Sequence, residues 1–194
     1  MQYQAAKKHI LDRLDRELPA ELTYHCPAHT RDVLRVVTEL CALENVSAYE
    51  TILLKTAACY HDSGFLVSHV DHEEIGCQIA AATLPQFGYT PKEIERIAAM
   101  IRATRIPQSP QNRLEEILCD ADLDYLGRDD FYPIGRTLFQ EFCHFNVVED
   151  EAGWNQLQVG FLRMHRYFTP TNRHRRGPRK QAYLTAIEKL VTRT

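Results

Sequence analysis

The sequence contains no apolar run of about 18 residues, the length that a membrane-spanning helix needs. It also lacks an N-terminal apolar segment of the signal-peptide type. Its net charge of -3 at pH 7 provides no general attraction to nucleic acids or anionic membranes. We therefore expect a cytoplasmic protein, and we expect neither a membrane nor a nucleic acid among its partners.

Cysteine pairs with metal-binding or redox spacing are also missing. The six cysteines lie far apart without a CxxC motif, and most of them stand in apolar runs. Because such positions are typical of buried helix faces, we interpret them as reduced core residues and not as a disulfide framework. The 194 residues can bury one good core, so we expect a single domain over residues 1–194.

The apolar positions recur with helical spacing, and hardly any segment alternates like a strand. Residues 33–40 form one such apolar stripe. Ser47 followed by Glu50, and Thr90 followed by Glu93, have the pattern of capping boxes at helix starts. Together with the glycine and proline interruptions, this pattern predicts an all-α bundle of about eight or nine helices.

Four polar residues stand out within or next to these apolar helices. His61 and Asp62 are adjacent and end an apolar stretch, His29 lies upstream in a helical pattern, and Asp122 lies downstream. Imidazole nitrogens and carboxylate oxygens suit a divalent ion such as Mn, Fe, Co, Ni, Zn or Mg. The set predicts a metal site, although a His-Asp pair taken alone could equally cap a helix end.

With a His, an adjacent His-Asp pair and a later Asp in this order, the chain resembles the HD superfamily of metal-dependent phosphohydrolases. The resemblance covers roughly residues 20–130. It implies an HD-domain helical bundle in which His29, His61, Asp62 and Asp122 hold the metal ion.

The stretch Y-H-C-P-A-H at residues 24–29 also resembles the Y-H-N-x-x-H motif of the cyclic nucleotide phosphodiesterase branch. In that motif the first His is the general acid, so the resemblance implies a catalytic role for His25. His25 and His29 are four residues apart, so they would share a face if this stretch is helical. The same branch carries A-D-L around its last ligand, as this chain does at Asp122. That match favours Asp122 over Asp120 and Asp124 as the last metal ligand.

Two further residues are candidates for binding substrate. His72 begins the stretch H-E-E-I-G, which resembles the H-P-E-x-G segment that supplies another ligand in two-metal HD enzymes. Thr104 stands about where those enzymes have a further His, so His72 is either a ligand or a substrate-side group, or else part of a solvated first helical turn. Arg102 offers forked donors to a phosphate, unless it only belongs to a solvated helix end.

These residues predict a metal-dependent phosphohydrolase that acts on a small-molecule phosphodiester or nucleotide phosphate. Metal-activated water would attack phosphorus, Asp62 would bind the metal and orient the water, and His25 would protonate the leaving oxygen. An HD-type di-iron oxygenase and a non-catalytic regulatory module that binds metal or nucleotide remain open as alternatives. The helical extension 131–194 could cover the pocket, form a homodimer face or complete the core.

Overall fold

The structure is a computed structural model in which residues 1–192 are described. Within this range it contains helices and turns and no strand. Ten α-helices, nine of them with seven or more residues, confirm the all-α prediction for this part of the chain. They are α1 Tyr3–Glu17, α2 Pro27–Leu43, α3 Ala48–Tyr60, α4 His72–Thr83, α5 Pro91–Ala103, α6 Arg113–Asp122, α7 Phe131–His144, α8 Glu151–Met164, α9 Pro170–Arg175 and α10 Gly177–Val191.

The described residues divide into two compact units. Unit 1 comprises Met1–Pro19 and His25–Asp122 and therefore contains α1 to α6. Unit 2 comprises Ala20–Tyr24 and the chain from Leu123 onward, and contains α7 to α10. The single domain expected over residues 1–194 stays a prediction.

Both helix starts that the sequence predicted by capping are present in unit 1. The Ser47 hydroxyl accepts a hydrogen bond from the backbone N–H of Glu50 at 3.3 Å, and α3 begins directly after Ser47. Thr90 and Glu93 form a reciprocal capping box in front of α5. In each case the side-chain oxygen satisfies an N–H group that has no partner within its helix.

Two glycines allow α4 to approach the end of α3 very closely. A Cβ atom at Gly64 would overlap the backbone of His72, where α4 begins. A Cβ atom at Gly76 would lie 3.1 Å from the carbonyl oxygen of Tyr60, the last residue of α3. Because both positions lack a side chain, the start of α4 is held against the turn that follows α3.

Unit 2 has its own apolar core and a buried polar contact. The aromatic rings of Phe139 and Phe142 lie 5.8 and 5.9 Å from the buried ring of Trp154. The buried carboxylate of Asp124 accepts hydrogen bonds from Asn172 Nδ2 at 3.1 Å and Arg176 Nε at 2.8 Å. These contacts bind the turn that begins at Asp124 to the C-terminal helices.

Most of the cysteine thiols are buried. All six cysteines are free, and Cys41, Cys59, Cys77 and Cys119 are buried. Among residues 1–192, no helix combines the length and the apolar character that crossing a membrane requires.

Candidate metal centre

Three helices of unit 1 bring the four candidate ligands together. His29 lies in the first turn of α2, His61 and Asp62 directly follow α3, and Asp122 is the last residue of α6. Helices α2, α3 and α6 pack against one another through their apolar faces. The ends that carry the polar residues therefore meet at one place.

At this place nitrogen and oxygen atoms lie within a few ångströms of one another. His29 Nε2 is 3.1 Å from Asp122 Oδ1 and 3.3 Å from His61 Nε2, and His61 Nε2 is 3.5 Å from Asp122 Oδ1. Asp62 Oδ2 lies 3.0 Å from His61 Nε2 and 3.4 Å from His29 Nε2. We call these four residues, His29, His61, Asp62 and Asp122, the HD cluster.

The separations that join the two imidazole nitrogens to each other and to the carboxylate oxygens are of the size found in the coordination shell of a metal ion. Ligand atoms about 2.0–2.2 Å from a metal lie about 2.8–3.1 Å apart at neighbouring corners of an octahedron and about 3.3–3.6 Å apart in a tetrahedron. The five separations run from 3.0 to 3.5 Å and fall within these two ranges. The potential ligand atoms of His29, His61 and Asp122 also all lie within 4.8 Å of one another.

The hydrogen bond made by His61 orients its ring in a way that would suit a metal ligand. Its Nδ1 lies 2.9 Å from the carbonyl oxygen of Ala58, which can only accept, so Nδ1 donates and carries a proton. In a neutral ring the lone pair is then on Nε2, which faces the HD cluster. Asp62 Oδ2 is buried and accepts no hydrogen bond of acceptable geometry from the residues that the structure describes. Both atoms are suited to bind a cation.

The charges in the HD cluster shift the pKa values of His61, Asp62 and Asp122. Burial opposes a charge on His61, but the carboxylates of Asp62 and Asp122 outweigh burial and raise the pKa of His61 well above its ordinary value. Burial would also raise the pKa of Asp122, but its contacts with His29 and His61 lower that pKa to about 2. The pKa of Asp62 is likewise lowered, because the charge of His61 outweighs burial. The HD cluster therefore favours positive charge at its centre.

His25 lies next to the HD cluster, although it does not share a helical face with His29. The sequence stretch suggested such a face if both residues were helical, but α2 begins only at Pro27 and Cys26 is its N-cap. The two imidazole rings are nevertheless 6.3 Å apart and nearly perpendicular. His25 reaches this position from the extended backbone that precedes the helix.

His72 lies on the other side of the Asp62 carboxylate. Its Nε2 is 3.7 Å from Asp62 Oδ1 and 3.5 Å from Glu73 Oε1, and its Nδ1 is 3.3 Å from the carbonyl oxygen of His69. His72 is the first residue of α4, which agrees with the alternative that it belongs to a first helical turn. That turn is not fully solvated, however, because Glu73 is buried. His72 therefore adjoins the HD cluster through the second oxygen of Asp62.

Arg102 lies on the helix surface, where it is paired with a carboxylate. Its guanidinium donates to both oxygens of Glu74, at 2.7 and 3.0 Å, and its side chain is half exposed. Arg105 is paired in a similar way with Asp71 at 3.0 Å and Glu73 at 3.5 Å. The substrate-binding role of Arg102 stays a prediction.

Comparisons of the chain with models of protein families, with curated proteins and with solved structures found no match. The resemblance to the HD superfamily therefore rests on the identity and order of the residues in the HD cluster. What the site does has to be argued from its chemistry.

Two residues beside the site were not identified from the sequence. The ring of Phe65 contacts the imidazoles of both His25 and His72, with centroids 4.2 and 4.3 Å away. Phe65 has no polar atom, so nothing in its identity indicated a place at the site. Ala58 could have been found, because its carbonyl lies one helical turn before His61 at the end of a predicted helix.

Proposed function

We propose that this chain is a metal-dependent phosphohydrolase that cleaves a small-molecule phosphodiester or nucleotide phosphate. One observation carries the proposal: the imidazole nitrogens of His29 and His61 converge with a carboxylate oxygen of Asp122 at separations that suit one divalent ion. Asp62 Oδ2 lies beside them, 3.0 Å from His61 Nε2. The identity of the ion, among Mn, Fe, Co, Ni, Zn and Mg, is left open. The expected cytoplasmic location is also part of this proposal.

His29, His61, Asp62 and Asp122 would hold the ion. A divalent ion, when bound, polarises a phosphoryl oxygen and lowers the pKa of water from about 15.7 to about 7, so that hydroxide is available at neutral pH. The contact of His61 with Ala58 would keep its Nε2 directed at this centre. Asp62 would orient the attacking water, since its second oxygen faces His72 and not the two ligand imidazoles.

His25 would protonate the oxygen that leaves phosphorus. Its ring adjoins that of His29, so it would stand beside a phosphate held at the HD cluster. An imidazole can carry a transferable proton near neutral pH, and a positioned general acid contributes about 10²–10⁴-fold.

The charges around the site favour a phosphodiester over a phosphomonoester. The two carboxylates of the HD cluster balance the charge of one divalent ion. Arg102 is paired with Glu74, and Arg105 with Asp71 and Glu73, so neither guanidinium carries an unmatched charge that a dianion would attract. A phosphodiester has one negative charge and needs less compensation than the dianion of a monoester.

The test uses metal-stripped protein that is resupplied with each of the six metals in turn. Hydrolysis of bis-p-nitrophenyl phosphate is compared with that of p-nitrophenyl phosphate. We expect metal-dependent turnover with a preference for the diester, and a loss of at least about 10²-fold in Asp62→Asn. Asp32→Asn is the matched control, because Asp32 is paired with Arg35 on the exposed side of α2. Turnover that survives in Asp62→Asn would contradict the proposal.

A di-iron oxygenase is the second candidate, and one observation favours it. His72 Nε2 lies 3.7 Å from Asp62 Oδ1, so this carboxylate could bridge two ions. Two bound irons per chain and oxygen consumption with an organic substrate would support that function. Tight binding of one ion without any turnover would instead indicate a regulatory module that binds metal or nucleotide.

A further inference from the structure

The ring of Phe65 forms an aromatic contact with two histidines at the edge of the HD cluster. The rings of His25 and Phe65 are stacked, with centroids 4.2 Å apart and planes inclined by 19°. The ring of His72 lies 4.3 Å from Phe65 and is inclined by 33°. The two imidazoles themselves are 6.2 Å apart. Both therefore contact the same buried phenyl ring.

The backbone around Phe65 is held firmly in relation to Asp62. The N–H of Phe65 donates to the carbonyl oxygen of Asp62 at 3.1 Å, within the short 3₁₀ turn Ser63–Leu66. The hydroxyl of Ser63 is buried and donates to the carbonyl oxygen of Tyr60 at 2.7 Å. Gly64 lies directly against the backbone of His72. The phenyl ring is thus attached to a short turn that two hydrogen bonds and a close backbone contact hold in place.

A stacked neighbour restrains an imidazole in a way that suits proton transfer. The phenyl face covers one face of the His25 ring and fixes the plane of that ring, whereas both nitrogens lie on the ring edge. The stacking contact therefore does not cover the ring edge that carries the two nitrogens. A general acid that is displaced by about 1 Å can lose about 10²-fold in rate, so such a restraint matters for catalysis.

We propose that Phe65 is a positioning residue that holds His25 against the leaving oxygen, and that the site acts on phosphodiesters with an alkoxide leaving group such as a sugar hydroxyl. This inference rests on the proposed function. In the step concerned, water forms the new P–O bond and the bond to the leaving oxygen breaks. His25 gives its proton to the alkoxide, which leaves as an alcohol, and the proton released by the water returns to His25 through solvent.

We infer an alkoxide leaving group because the site positions a general acid, His25. A leaving group such as p-nitrophenolate departs without a proton, so a fixed acid adds little to its release. An alkoxide is far more basic and requires protonation as it leaves. The restraint that Phe65 places on His25 should therefore matter mainly for the second kind of substrate.

The experiment compares Phe65→Leu with wild type on two diesters in the presence of Mn²⁺. The substrates are bis-p-nitrophenyl phosphate and dithymidine phosphate, which releases a sugar hydroxyl. We expect Phe65→Leu to lose about 10²-fold on dithymidine phosphate and less than about threefold on bis-p-nitrophenyl phosphate. Phe65→Tyr keeps the ring and should retain most of both activities. The matched control is Phe87→Leu, because Phe87 also contacts an imidazole, that of His9 at 5.4 Å.

A double-mutant cycle separates positioning from a general effect on the fold. If Phe65 acts through His25, Phe65→Leu should cost nothing further on dithymidine phosphate in a His25→Gln background. Equal losses on both substrates, or losses that add in the double variant, would overturn the inference. Wild-type turnover of the aryl diester without any turnover of dithymidine phosphate would also overturn it.

A measurement on the metal-free protein does not depend on activity. In proton NMR spectra the ring protons of His25 should be shielded by the phenyl ring and should move downfield in Phe65→Leu. Phe87→Leu should shift those of His9 and leave His25 unchanged. A wild type that hydrolyses neither diester would contradict the proposed function, and the NMR comparison would still test the contact. Unchanged His25 resonances in Phe65→Leu would overturn the positioning role.

Discussion

His61 donates through Nδ1 to the carbonyl oxygen of Ala58 at 2.9 Å, one turn earlier at the end of α3. This one bond decides which nitrogen of His61 faces His29, Asp62 and Asp122. It also satisfies a carbonyl group at the end of a helix, where the next residues offer no helical N–H. A local feature of helix termination thus directs Nε2 of His61 at the other residues of the HD cluster.

Binding of a metal ion should stabilise the fold. The HD cluster holds two buried carboxylates whose charges a divalent ion would offset, and any ligand that binds only the folded state stabilises it. At a metal concentration about 1,000 times Kd the gain is about 4 kcal/mol, or a rise in Tm of roughly 8–16 °C for a chain of this size.

Differential scanning fluorimetry of the metal-stripped protein with each metal checks this prediction. Asp122→Asn should show a much smaller shift, whereas Asp32→Asn should respond like wild type. A Tm that no metal changes would count against a metal site.

Metal binding should release a proton near neutral pH. In the metal-free protein the two carboxylates raise the pKa of His61 well above its ordinary value of 6.5, so at pH 7 the ring holds a proton that a metal must displace. Metal affinity should therefore fall as the pH is lowered below this pKa.

Isothermal titration calorimetry at pH 7, in buffers with different ionisation enthalpies, measures the number of protons released. We expect about one per ion. The same protonation stabilises the metal-free fold below the pKa of unfolded His61, and this contribution is lost as pH rises through the higher pKa of the folded state. An observed heat that is independent of the buffer would refute the prediction.

Acid should destabilise the metal-free protein through Asp122. Its pKa in the folded state is about 2 and its ordinary value is 3.8. A lowered pKa contributes stability that is present above the unfolded value and is lost as the pH falls through the folded value. The affected window is thus between about pH 4 and pH 2, and the contribution of this carboxyl is about 2 kcal/mol.

Urea unfolding curves at pH 5, 4, 3 and 2 test this window. Asp122→Asn should lose less stability than wild type across it. Parallel pH profiles of the two proteins would mean that the carboxyl does not interact with the imidazoles as the structure indicates.

Replacing Gly64 by Ala should disrupt the fold at the site. The added methyl group would overlap the backbone of His72, which cannot move aside as a flexible side chain could. Overpacking of this kind costs about 1–3 kcal/mol, and metal affinity should fall with it because α4 is displaced from Asp62. Gly160→Ala is the control, because its added Cβ in the interior of α8 would lie more than 4 Å from every described heavy atom outside its chain neighbours and the adjacent backbone of its own helix.

Both stability and metal binding are measured for these two glycine variants. Gly160→Ala should be neutral or should stabilise by up to about 1 kcal/mol, because alanine is the better helix former. A Gly64→Ala protein as stable as wild type would show that the close approach of α4 is not needed.

Local sequence signals predicted the helices well. Ser47 and Thr90 were recognised as caps because a side-chain oxygen three residues before an N–H can satisfy it whatever the rest of the protein does. The position of His25 was harder to predict. A helical interpretation of residues 24–29 gave it a shared face with His29, yet Pro27 begins the helix and His25 approaches from outside it.

The sequence by itself determined the all-α class and the identity of the residues that could bind a metal, because helical periodicity and side-chain chemistry are local properties. Only the tertiary structure decided which atoms meet. The packing of α2, α3 and α6 brings His29, His61 and Asp122 together across more than ninety positions of chain. The tertiary structure also pairs Arg102 of α5 with Glu74 of α4 and places the apolar ring of Phe65 against His25. Such contacts depend on how helices pack, which no single segment of sequence specifies.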